Sequence, residues 1–91
     1  MPKDCRMTLI KTNSVMENLQ EPKYPGLKFF QDKVGGYIVP IRFKLNSGAE
    51  RTMLVDEDGL AKELEPNRIA SLYAKKLVVG DALVLNNFYL R

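Results

Sequence analysis

At 91 residues, 45% hydrophobic and 27% charged, the chain has the size and composition of one globular domain, 1–91, burying roughly two thirds of its unfolded surface. No apolar run approaches the ~20 residues of a membrane span, and the opening MPKDCRMTLI lacks the apolar stretch of a signal peptide, so an intracellular protein with no membrane partner is expected. One cysteine, no histidine and a net charge of +3 exclude an intrachain disulfide, the usual zinc sites and His-dependent acid–base chemistry.

The first segment, Arg6 to Thr12, is short, apolar and β-branched, and it stops at Asn13-Ser14, which reads as a strand. Cys5 beside it has no local partner that would activate a thiolate and is assigned no role. Ser14 followed three residues later by Glu17 makes a capping box ahead of Val15, Met16 and Leu19, so a helical turn or two is expected before Pro22 and Pro25 stop it. Tyr24 lies between these prolines as a surface anchor or a cover for the core, and a packed connector is the simpler reading.

From Gly26, the run GLKFFQDKVGG puts Leu27, Phe30 and Val34 at helical spacing, with Gly35 or Gly36 as the left-handed C-cap. Next comes a strictly alternating stretch. Tyr37, Val39, Ile41, Phe43 and Leu45 fall on one face and Ile38, Pro40, Arg42 and Lys44 on the other, the pattern of a half-buried strand around which the chain is expected to be organised. Asn46-Ser47-Gly48 turns the chain, and Arg51 to Val55 returns as the second strand of an antiparallel hairpin.

Asp56-Glu57-Asp58-Gly59 is acidic but does not match the alternating frame of a calcium loop, so a tight turn with solvated carboxylates is expected and no metal site is assigned. Pro66 stands where a first helical residue belongs, ahead of a helix whose inner face is Ile69, Ala70, Tyr73 and Leu77. Lys75 and Lys76 suit its negative end. The apolar run from Leu77 to Leu85, interrupted at Gly80-Asp81, reads as a strand covered on both faces. Phe88, Tyr89 and Leu90 are apolar for so late a position; they dock on the core or self-associate, and a homo-oligomer is expected.

The order strand, helix, strand, strand, helix, strand predicts an α+β fold: a small, mostly antiparallel sheet with two helices on one face, with a ferredoxin-like arrangement as one candidate. Charge is uneven: residues 1–45 hold eight Lys/Arg against four Asp/Glu, residues 46–91 six against seven. For an anionic ligand the candidate contacts are Arg42, Lys44, Arg68, Lys75 and Lys76, with Tyr37 or Tyr73 as stacking surfaces. Arg42 and Lys44 share a strand face and make the better pair. No carboxylate is placed opposite a nucleophile, so no catalytic residue and no cofactor are assigned.

Four segments, VGGYI (Val34 to Ile38), LVDEDG (Leu54 to Gly59), LEPNRIA (Leu64 to Ala70) and VVGDALVL (Val78 to Leu85), stand in an order that resembles a small domain-of-unknown-function family of bacteriophages, mobile elements and large DNA viruses. That family reads VGGYIE, NEEG, LPxNxxA and IVGDAVV. The chain departs from it at Val39, where an acidic residue is usual, and at Val55-Asp56, where asparagine is common. The resemblance implies a viral or phage accessory origin and no catalytic residues. With the lack of catalytic groups and the apolar tail, the leading expectation is a non-enzymatic accessory protein in the host cytoplasm that binds and inhibits or sequesters a host defence component, either a protein or a small nucleotide signal. A nucleic-acid-binding or transcription-modulating module is the alternative, with binding that weakens steeply with salt. A structural, self-assembling domain is the third reading.

Overall fold

A computed structural model describes residues 4–91. Seven elements follow one another: β1 (Cys5–Ile10), β2 (Met16–Glu21), α1 (Leu27–Val34), β3 (Ile38–Lys44), β4 (Glu50–Asp56), α2 (Arg68–Ala74) and β5 (Ala82–Leu85). The strands form one antiparallel sheet in the order β2-β1-β5-β4-β3. The fold is thus α+β, as the sequence predicts, with three differences in detail.

First, the capping-box segment is a strand. Lys11 N–H bonds to Val15 C=O at 2.9 Å and Ser14, at φ 68°, bonds back to Lys11 C=O at 3.0 Å, which closes a tight hairpin. Met16 to Glu21 then pairs with β1 along its whole length. The backbone donors that a cap would satisfy are taken by the ladder instead. β2 is an exposed, polar edge, so alternation could not announce it. With that extra strand the order becomes β-β-α-β-β-α-β, and the six-element ferredoxin-like arrangement does not apply.

Second, the helices lie on opposite faces. Phe30 and Val34 of α1 pack with Met7, Leu9, Leu54, Leu83 and Leu85, while Ala70 of α2 packs with Ile10, Met53, Val55, Ala82 and Val84. Neighbouring residues such as Leu9 and Ile10, or Met53 and Leu54, go to different clusters because strand side chains alternate between faces. A five-stranded sheet whose middle strands are apolar on both sides needs cover on both sides.

Third, β3 is an edge and the centre is β5, all four residues of which are buried. Pro40 within β3 has no N–H to give a further neighbour, which confines such a strand to an edge. Of the inner face expected for it, Phe43 is buried and Ile41 and Leu45 pack partly against the α2 cluster, but Tyr37 and Val39 are exposed. Ile38 packs instead on the α1 side.

The α1 face is sealed further by chain ends and connectors. Tyr24 meets Phe30 edge-on at 5.6 Å between centroids and Phe88 at 5.9 Å, and Phe88 stacks on Phe30 at 6.4 Å. The Arg91 guanidinium lies 4.5 Å from the Tyr24 ring centroid, and the Arg91 backbone N–H donates to the Tyr24 hydroxyl at 3.0 Å. Of the three residues read above as docking on the core or self-associating, Phe88 and Leu90 join the chain's own core, while Tyr89 stays exposed. Cys5 is a buried, free thiol of β1.

The predicted cap of α1 is Gly35, at φ 96° and ψ 16°, whose N–H bonds to Gln31 C=O at 2.7 Å. Only glycine takes that left-handed position without strain. Helix α2 begins later than Pro66. Asn67 is its N-cap, accepting from Ala70 N–H at 3.1 Å, and Pro66 bridges to Val79. An asparagine that satisfies an orphan donor outcompetes the proline as the start signal. The helix ends at Lys75 in the left-handed conformation, leaving Leu77 outside it and exposed.

Candidate ligand-binding site

The segments VGGYI, LVDEDG, LEPNRIA and VVGDALVL converge at one end of the sheet. Asn67 is fully buried and donates both to Ile10 C=O at 2.8 Å and to Gly80 C=O at 2.9 Å, tying β1, the turn before β5 and the start of α2 together. Asp81 accepts from Thr12 N–H at 3.0 Å. Asp56, at the end of β4, accepts from Asp58 N–H at 2.8 Å and pairs with the Lys62 ammonium at 2.8 Å. Its side chain is 1% exposed and that of Lys62 is 42% exposed, so one partner is held in the protein and the other swings from solvent.

Gly36 lies directly against this pair. A Cβ on it would come within 2.6 Å of both the Asp56 carboxylate and the Lys62 ammonium. The second glycine of VGGYI is thus there for close approach, distinct from the capping role of the first. The hydrogen bond to Asp56, with the charges of Asp56 and Asp58, raises the Lys62 pKa above the ordinary lysine value. The acidic turn read from sequence as solvated has one carboxylate that is buried and satisfied. Nothing in the sequence marks Lys62 as its partner except a spacing of six residues across a turn.

The sequence-predicted contacts for an anion are distributed over the molecule. Tyr37 is exposed beside Gln31, Asp32, Asp58 and Lys62, in a groove of about 480 Å³ that carries two carboxylates. Arg68 starts α2 and Lys75 caps it, roughly 10 Å apart along the axis. Arg42 is exposed on the β3 edge, its neighbours Ile41 and Phe43 pointing to the α2 side. Lys76 is exposed beyond the cap.

Two of them do come together. Lys44 at the end of β3 and Lys75 at the end of α2 line one groove of about 410 Å³ with Leu45, Asn46, Ile69, Leu72 and Tyr73. That lining has two ammonium groups and no carboxylate. Among the described residues the ion pairs are Lys11–Glu17 and Lys62–Asp56, so the charge of neither groove lysine is spent on a partner there. Leu72 and Tyr73 are both exposed and give the groove an apolar wall. Tyr73 also packs on Phe43, 6.0 Å between centroids, which fixes its ring.

Comparison with family models, with curated proteins and with solved structures gives no match for the chain.

Proposed function

We propose that this chain is a non-enzymatic binding module that captures a small phosphate-bearing ligand in the groove between the β3–β4 turn and the end of α2. In the phage or viral setting that the resemblance implies, the ligand is a nucleotide signal of host defence and the role is sequestration. The observation that carries the reading is the meeting of Lys44 of β3 with Tyr73 and Lys75 at the end of α2, in one groove without a carboxylate. Its volume is that of a site for a small molecule. Lysine ammonium groups serve as point charges for phosphate oxygens, and an aromatic ring accepts the face of a base, an interaction worth about 1–3 kcal/mol.

The end of a helix carries partial negative charge, which by itself repels an anion. Two lysines offset it. A self-assembling role draws less support, since Phe88 and Leu90 pack into the chain's own core.

Calorimetric titration with ATP tests the proposal. Saturable binding that weakens at least tenfold in the Lys44→Ala/Lys75→Ala variant, with the fold retained by circular dichroism, is the expected result. The reading is overturned by no saturable binding of ATP or of a cyclic dinucleotide, or by binding indifferent to both lysines.

A further inference from the structure

Helix α2 has seven residues, about 10 Å of length, over a sheet whose five strands span about 19 Å at ~4.8 Å per spacing. It covers the end of its face where Ile10, Val55 and Ala82 lie and leaves a strip of the sheet open beyond it. That strip begins at the lysine groove. Tyr73 and Leu45 line both the groove and a shallow depression of about 100 Å³ that also contains Thr8, Arg51 and Asn86. Asn86 in turn shares a depression of about 250 Å³ with Arg6, Asn18 and Gln20. The three hollows form one continuous track from α2 to the β2 edge.

Three polar side chains in the middle of the track are ordered by one another. Asn86 Nδ2 donates to Thr8 Oγ1 at 2.9 Å, and Thr8 Oγ1 donates to Asn18 Oδ1 at 3.2 Å. This chain consumes the Asn86 amide donor and the Asn18 carbonyl acceptor. Among the described residues no protein group meets the Asn18 Nδ2 or the Asn86 Oδ1, so a donor and an acceptor are held in place and turned to solvent. Arg6 is exposed and Arg51 half-buried, the latter tethered through Nη1 to the Glu50 C=O at 2.9 Å. Asp4 accepts from Gln20 Nε2, and neither arginine has a carboxylate in ion-pair range among the described residues.

We infer that a single strand of nucleic acid lies along this track, with its phosphates on Arg6, Arg51, Lys44 and Lys75 and its base edges on the Asn18–Thr8–Asn86 row. The inference rests on the anion-binding reading of the lysine groove and extends it across the sheet. Four cations, against the exposed Glu50 that faces Lys44 across the β3–β4 pair, leave the track net positive and match a polyanion. Oriented amides match the mixed donors and acceptors of base edges. A duplex would hide those edges in its grooves, whereas an open, nearly flat sheet presents to bases that are splayed out. The ~19 Å span given by the strand spacing sets the length of strand that the track can take.

The test is fluorescence anisotropy with labelled ten-residue oligodeoxynucleotides and oligoribonucleotides of mixed sequence, alongside the ATP titration, on the full chain. The oligonucleotide is expected to bind at least tenfold more tightly than ATP. Its log affinity should fall with log salt at a slope of about −3 for four phosphate contacts, at ~0.7 per contact on a single strand. In Arg6→Ala/Arg51→Ala the slope should drop to about −1.4, with at least a tenfold loss of oligonucleotide affinity and less than a twofold change for ATP. Because Arg51 is half-buried, Arg6→Ala/Asn18→Ala, at two exposed positions, serves as the second variant and should also lose at least threefold. An oligonucleotide no tighter than ATP, or indifferent to both variants, overturns the track and leaves the lysine groove standing. Failure of both ligands overturns both. Equal binding of duplex DNA, or of polyglutamate, overturns the single-strand assignment.

Discussion

On the α1 face, a helix, a connector and the C-terminal segment close over the sheet; on the α2 face, a helix of seven residues covers one end and leaves the rest open, with apolar and polar side chains mixed. The closed face is built of leucine, methionine and interlocked aromatic rings. The partly covered face pairs an apolar end under α2 with a row of amides, arginines and a tyrosine. Stability is concentrated where cover is complete, and groups able to bind are left where it is not.

The largest effect should come from the closed face. Phe30 is fully buried and touches Tyr24, Phe29 and Phe88. Phe30→Ala is expected to cost about 3–5 kcal/mol, a large share of the 5–15 kcal/mol typical of a small domain, read as a fall in the urea midpoint. Preserved stability would mean that Phe88 and Tyr24 collapse into the space. Asn67→Ala strikes the anchor of the other face by leaving the Ile10 and Gly80 carbonyls without a donor and α2 without its cap. A loss of about 2–3 kcal/mol is expected. Hydrogen exchange should speed up in α2 more than in α1, and uniform acceleration would show that the two faces unfold as one.

The smallest effect concerns the Lys62–Asp56 pair. The Lys62 pKa is raised in the folded protein, so its contribution is fully present below the unfolded lysine value and fades as pH rises through the higher folded value. Chemical denaturation of the wild type should therefore show an alkaline decline that Lys62→Met lacks. Added salt should shrink the difference, since the lysine is largely in water. Identical alkaline limbs would show that the pair contributes nothing.

The closed face was the more legible in the sequence. Helical spacing of Phe30 and Val34 with a glycine cap, and the apolar run through Leu83 and Leu85, are local signals that the structure uses as read, while Leu27, read on the same inner face, is exposed. β2 and the edge position of β3 were not legible in the same way. A polar edge strand has neither apolar periodicity nor strong β propensity, and Ser14 with Glu17 offers the backbone a cap that the β1 ladder outbids; the marker was the Asn13-Ser14 turn between two extended runs. Pro40 was the marker for β3. Of the candidate site, the charges were visible but their meeting was not. Lys44 with Lys75 is a product of where α2 crosses the sheet. Arg6, Arg51 and the Asn18–Thr8–Asn86 row are scattered over eighty positions of chain and gathered only by strand order.

β5 is the middle of the sheet and the last strand along the chain. The β1–β2 and β3–β4 hairpins are local and close within microseconds, yet no strand pairing joins them until Ala82 finds Ile10 and Leu83 finds Leu54. During synthesis the chain therefore carries two half-sheets, each with an apolar edge awaiting the same four residues. A ribosome stalled or a message cut shortly before Ala82 would release a species with two sticky borders and no centre. Proteostasis of this small domain is governed by the arrival of its shortest strand.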